Sequence, residues 1–202
     1  MNSNKFTTSV LPTPRLRSAQ QGITLIDALI ALVIFSVGLL ALAALQTVSK
    51  QSNYEAMQRT NAAMFAYDLI ERMRMNSGAL LDYVGDSILS DTHTACTTCD
   101  TTGNTSAIAS NDLFEWKAMV LGEKEINSAN VSVGGLIDPV ACLTRVATTN
   151  EFTLTIAWRG QTSISNQSAS TCGIGTASYN DPVSGDPYGY RRILELNAFI
   201  GN

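Results

Sequence analysis

The chain has 202 residues, 45% of them apolar, with a net charge of −4 and a pI near 4.9. That balance argues against a nucleic-acid-binding protein, which carries a basic face or stripe. Charged residues make up only 15%, against roughly 25% in a typical soluble domain, and Ser, Thr, Asn and Gly fill the difference, as in secreted proteins with loop-rich surfaces.

The first 22 residues hold Lys5, Arg15 and Arg17 and no acid. From Ile23 to Leu45 the chain reads ITLIDALIALVIFSVGLLALAAL, about 23 residues against the roughly 20 that cross a bilayer as a helix. Basic residues ahead of such a span hold the leader in the cytoplasm and send the remainder outward. An ordinary signal peptide has a shorter apolar core and a small-residue cleavage site after it. Here the run is too long, and Gln46-Thr47-Val48-Ser49 is a poor site. A plain signal anchor is the alternative, but it has no need of two further features. Gly22 stands at the boundary of leader and apolar run, where a protease needs a small, extended residue. Asp27 puts a carboxylate inside the apolar run, at a cost of a few kcal/mol, which marks a functional site. A cut after Gly22 would create an α-amine on Ile23, a cation suited to pair with such a carboxylate in a neighbouring copy.

Gly22-Ile23-Thr24-Leu25-Ile26-Asp27, followed by Ala28-Leu29-Ile30-Ala31-Leu32, resembles the type IV prepilin motif. The resemblance implies cleavage between Gly22 and Ile23 and N-methylation of Ile23 by a prepilin peptidase/N-methyltransferase. It also implies an assembly role for the Asp27 carboxylate and extraction from the inner membrane into a filament. Asp27 replaces the usual Glu, and Ile23 stands where Phe or Met is commoner; a carboxylate and an apolar residue are kept. Major pilins usually carry a proline late in this helix. None occurs between Ile23 and Gly78, which suits a minor pilin.

The helical pattern continues. Ala62, Ala63, Ala66, Leu69, Ile70 and Met73 recur at three- and four-residue spacings. Asp68 with Arg72, and Glu71 with Arg74, are placed to pair across one turn. Asn76-Ser77-Gly78 is a stop signal, so one helix is expected from about Leu25 to Met75. Asp68-Leu69-Ile70-Glu71-Arg72-Met73-Arg74-Met75-Asn76 resembles a stretch of the PilV family of minor pilins, the type IV pilus modification proteins. Leu39 to Gln46 and Asp112-Leu113-Phe114-Glu115-Trp116-Lys117 are similar to the same family. Arg72, Arg74 and Asn76 have two readings, a solvated helix end with cations placed for the helix dipole or a contact with a neighbouring pilin.

Residues 82–111 are polar and read as loop. Asp112 and Glu115 have the spacing of a capping box for a short helix, with Trp116 as a core or helix-to-head anchor. Phe152, Leu154, Ile156 and Trp158 alternate with Thr153, Thr155 and Ala157, and residues 193–200 alternate likewise; both are expected strands. Residues 130–133 are a weaker third, and 180–189 a surface loop.

Four cysteines permit three pairings. Beyond the membrane, disulfides are the default, and Cys142–Cys172 with Cys96–Cys99 is the favoured set. The first would close a loop of about 30 residues, worth 3 to 4 kcal/mol. His93, Cys96, Cys99 and a distant cysteine could instead make a zinc site, and Cys96-Thr97-Thr98-Cys99 a redox pair, though it lacks the expected helix-start context. Asp181 and Asp186 are few ligands for calcium, so a turn is expected there. No catalytic arrangement and no cofactor are expected.

The expected fold is α+β and type IV pilin-like, a long N-terminal helix, membrane-spanning in its first half, packed on a small antiparallel sheet. The expected organisation is a cleaved leader (1–22), a transmembrane and filament-core helix (23–45), its amphipathic continuation (46–76) and a periplasmic head (77–202). The expected function is that of a PilV-like minor pilin in the inner membrane, then in the pilus. The expected partners are the prepilin peptidase, other minor and major pilins and the inner-membrane assembly platform, with no nucleic acid. The alternatives are a minor pseudopilin of a type II secretion system or, in another class, an anchored periplasmic thiol-redox or metal protein.

Overall fold

A computed structural model describes residues 24–90, 104–130, 132–165 and 169–201. The elements in chain order are helix α1 (Leu25–Met75), a 3₁₀ segment (Ser77–Tyr83), helix α2 (Thr105–Val120), and strands β1 (Val140–Val146), β2 (Glu151–Arg159) and β3 (Arg191–Phe199). The chain divides into two compact units, one up to Gln46 and one from Thr47 onward.

In the first unit, α1 is apolar and exposed throughout. It is long and apolar enough to cross a membrane. No proline interrupts it, and Gly38 lies within the regular helix.

The second unit is an α+β head. The strands form an antiparallel meander in the order β1-β2-β3, with Leu143 opposite Leu154 and Leu154 opposite Leu196. The α1 residues Ala62, Ala66, Leu69, Ile70 and Met73 are buried. They share a core with Leu113, Trp116 and Val120 of α2 and with Leu143, Phe152, Leu154, Ile156 and Trp158 of the sheet. Alanines at two of the α1 positions let the helix come close, and the larger side chains fill the space beyond.

Three readings are corrected. The third strand is Val140–Val146 rather than 130–133, where Asn130 takes a left-handed φ of 56° and Ser132 makes only an isolated bridge to Ile126. Its pattern is hidden because Ala141, Cys142 and Leu143 are all buried, so both faces are covered and apolar and polar residues do not alternate. The second helix begins at Thr105, not Asp112. Asn104 is its cap, accepting a hydrogen bond from the Ala107 N–H, so Asp112 and Glu115 lie mid-helix and form no capping box. The loop expected over 82–111 accordingly gives way to α2 at its end.

The connection from β2 to β3 crosses the second face of the sheet. Cys142 and Cys172 are disulfide-bonded. Beside them Tyr179, fully buried, donates to the Asp138 carbonyl at 2.7 Å. Thr155 and Ala157, the polar-side positions of β2, are buried beneath this cover.

Candidate functional site

The start of α1 is organised by two residues. Thr24 precedes the first helical residue, and its Oγ1 hydroxyl donates to Asp27 Oδ2 at 2.7 Å. The Thr24 N–H donates to the same carboxylate at 3.2 Å, and the Asp27 N–H reaches back to Thr24 Oγ1 at 3.4 Å. A hydroxyl residue bound reciprocally to an acid three positions on is the capping-box arrangement. Asp27 is thus held at the positive end of its own helix dipole. The spacing Thr-x-x-Asp carried this signal in the sequence. Gly22 and Ile23 lie outside the described residues.

After Asp27 no charged residue follows until Lys50. Leu25, Leu40 and Ile34 are about as exposed as their neighbours, at 80%, 72% and 68%. Exposure of that much contiguous apolar surface requires lipid or protein to cover it.

Where α1 joins the head, Arg72 and Asn76 are not a solvated helix end. Arg72 is half-buried; its Nε donates to Asp68 at 2.9 Å, and its Nη1 lies 3.3 Å from both Asp112 and Glu115 of α2. Burial would lower its pKa, but the bond and charge of Asp68 hold it above the ordinary arginine value. Asn76 is 5% exposed, and its Nδ2 donates to the Tyr83 hydroxyl at 3.1 Å and the Thr105 carbonyl at 2.8 Å. Tyr83 in turn donates to Asp112. Burial, then the hydrogen bond to Asp112, push the phenol pKa up, so it stays a donor. Arg74, by contrast, forms an exposed ion pair with Glu71. Trp116 completes the junction by donating from Nε1 to the Phe65 carbonyl at 2.8 Å.

A second clamp was not foreseen. Glu55 of α1 accepts from the Gln161 and Thr162 N–H groups, each at 3.1 Å, and from Arg192 Nη2 at 2.9 Å. Burial raises its pKa, but the bonds from Arg192 and Thr162 outweigh this and hold it low. These partners are more than a hundred positions apart in the chain, so no local pattern links them.

His93, Cys96 and Cys99 lie outside the described residues. Among the described residues no group of three or more His, Cys, Asp or Glu could hold a metal. Asp181 is buried, and its oxygens take hydrogen bonds from the Val183 N–H at 2.9 Å and the Ser184 hydroxyl at 2.6 Å. Asp186 likewise accepts from the Tyr188 N–H at 2.8 Å. These are turn contacts within the loop, and Asp181 also accepts a hydrogen bond from Ser163 outside it.

Residues 44–114 match the family model described as type IV pilin Tt1218. Residues 17–43 match the prokaryotic N-terminal methylation motif. No curated protein and no solved structure gives a significant match. The first match takes in Arg72, Asn76, Tyr83 and Asp112; the second takes in Gly22, Ile23, Thr24 and Asp27.

Proposed function

We propose that this chain is a type IV pilin, a reading its helix-on-sheet fold and its two family-model matches support, and specifically a PilV-like minor pilin that primes or joins a type IV pilus. The carrying observation is the single helix Leu25–Met75, apolar and exposed at its start, capped through Asp27, and unbroken into the head. Processing after Gly22 and methylation of Ile23 would place a cationic amine beside Thr24 and the Asp27 carboxylate. That carboxylate would then offset the N-terminal charge of an adjacent subunit as the helix leaves the lipid.

The leader stays cytoplasmic, residues 23–45 span the inner membrane, and the head faces the periplasm, where a Cys142–Cys172 bond is expected. The prepilin peptidase and other pilins are its partners. The resemblance of Asp68–Asn76 and Asp112–Lys117 to PilV proteins supports the minor-pilin assignment, since both segments meet at one junction in this fold.

Intact-mass and N-terminal peptide mass spectrometry of the protein from native membranes tests the pathway. A methylated Ile23 start is expected; a mature protein beginning at Met1 would remove the filament role. Sheared pili then decide the machine. Low-copy recovery that depends on the pilus motor supports the minor pilin, whereas dependence on the type II secretion motor would make it a pseudopilin.

A further inference from the structure

Strand β3 ends the sheet, with β2 on one of its edges and no strand on the other. Which groups point to the open edge follows from the register. The Ile200 N–H donates to the Asn150 carbonyl and the Gly160 N–H to the Tyr190 carbonyl, one at each end of the run that pairs Glu151 with Phe199 and Arg159 with Arg191. Antiparallel ladders alternate hydrogen-bonded and non-bonded pairs. The even-numbered residues of β3 therefore bond β2, and Ile193, Glu195, Asn197 and Phe199 aim their N–H and carbonyl groups outward. Among the described residues no backbone hydrogen bond engages these groups from the open side.

Such an edge is normally blunted by shortness, proline, lysine or a bulge. β3 is nine residues long and has no proline or lysine, and its register with β2 runs without a bulge. Leu194 and Leu196 are partly buried against the core, while Glu195 and Asn197 are exposed on the opposite face. An added strand would complete the ladder and cover the two leucines, as extended peptides do on open sheet edges.

The edge closes at one end. The Arg191 N–H is already bonded to the Tyr188 carbonyl at 2.9 Å, and the Tyr190 N–H to the Tyr179 carbonyl at 3.0 Å, so pairing stops at Ile193. There a cavity of about 570 Å³ opens, lined by Arg191 and Ile193 from one face of β3, Arg192 from the other, and Glu55 and Arg59 of α1. Its charge is one-sided. Glu55 is matched by Arg192. Arg191 donates to the Cys172 and Ser170 carbonyls, and among the described residues neither it nor the exposed Arg59 pairs with an acid.

A parallel strand on this edge would bring a chain's N-terminal amine to the guanidinium groups, whereas an antiparallel strand brings its C-terminal carboxylate. We propose that the open edge of β3 and the arginine-lined cavity at its end bind the extended C-terminal segment of another protein, paired antiparallel, with its terminal carboxylate at Arg59. Guanidinium and carboxylate form strong, charge-assisted hydrogen bonds. The segment carries apolar residues opposite Leu194 and Leu196 and a cation opposite Glu195, since opposite charges suit directly paired positions. This site goes beyond the filament role and does not rest on it.

The test uses the full-length protein in detergent and the peptide acetyl-TVTVKVV, which sets valine opposite Leu194 and Leu196 and lysine opposite Glu195. At about 1 mM peptide, hydrogen exchange should slow about tenfold at the Glu195 and Asn197 amides and stay unchanged at Leu194 and Leu196, which the ladder already protects. Fluorescence polarisation with a labelled peptide then reads affinity. Amidating the peptide's C-terminus, or Arg59→Ala in the protein, should each weaken binding about tenfold, and the two together no more than either alone. Unchanged exchange at Glu195 and Asn197 would overturn the edge pairing and the proposal with it. Equal affinity for acid and amide, or full affinity in Arg59→Ala, would overturn the carboxylate seat. None of these outcomes bears on processing at Gly22, by which the pilin reading is tested separately.

Discussion

Tyr83 donates its hydroxyl to the Asp112 carboxylate, and the same carboxylate lies 3.3 Å from Arg72 Nη1. Asp112 is therefore the meeting point of three elements: the end of α1, the 3₁₀ segment that follows it, and the middle of α2. A carboxylate so placed is neutralised by Arg72 and hydrogen-bonded by Tyr83, which is what lets it sit mostly out of water.

Asp112→Ala should accordingly cost about 1–3 kcal/mol, because it leaves the buried Tyr83 hydroxyl without its acceptor and removes one of the three carboxylates around Arg72. Tyr83→Phe should cost about 1 kcal/mol. Arg74→Ala, at the exposed pair with Glu71, should cost under about 0.5 kcal/mol. Urea titration of the detergent-solubilised protein measures all three. Equal losses at Arg74 and Asp112 would contradict the buried junction.

The second prediction separates two duties of Asp27. Its carboxylate closes a capping box with Thr24, and under the proposed function it also offsets a neighbouring charge. Asp27→Asn keeps a capping acceptor and removes the charge; Asp27→Ala removes both. Both variants should be cleaved normally and incorporated poorly. Full incorporation of Asp27→Asn would reduce the residue's role to capping. Gly22→Leu should block cleavage itself, read as retention of the leader by mass spectrometry.

Removing the Cys142–Cys172 bond, which spans 30 positions, should cost about 3–4 kcal/mol on the chain-entropy account. The effect extends to Arg191, which is 3% exposed and donates to the Cys172 and Ser170 carbonyls at 2.9 and 3.2 Å. Burial lowers its pKa, and the bonded segment supplies its acceptors. Cys142→Ser/Cys172→Ser should therefore expose residues 169–176 to hydrogen exchange before the sheet opens. Retained protection there in the double variant would show that the segment is held without the bond.

Asp181 sets an acid limit. Hydrogen bonds from Ser163, then Ser184 and the Val183 N–H, bring its pKa down to about 2, against about 3.9 in an unfolded chain. A depressed folded pKa contributes stability above the unfolded value, and that contribution is lost as pH falls through the folded one. Stability should thus decline between about pH 4 and pH 2 in the wild type and more shallowly in Asp181→Asn. Parallel pH profiles from thermal melts would count against the assignment.

The long helix, its start and stop, the two alternating strands and the apolar face Ala62–Met73 were legible in the sequence, because periodicity and capping are local properties of neighbouring residues. The same holds for the N-terminal methylation motif matched over residues 17–43, which is contiguous. Strand β1 was not legible, since burial on both faces erased its alternation. Neither were the roles of Asp112, Asn76 and Glu55. Asp112 is spaced like a cap yet serves as an ion-pair centre, and Glu55 binds Arg192 from 137 positions away. Those partnerships exist only once α1, α2 and the sheet have packed, because packing alone brings distant polar groups out of water together and so selects which charge each must meet.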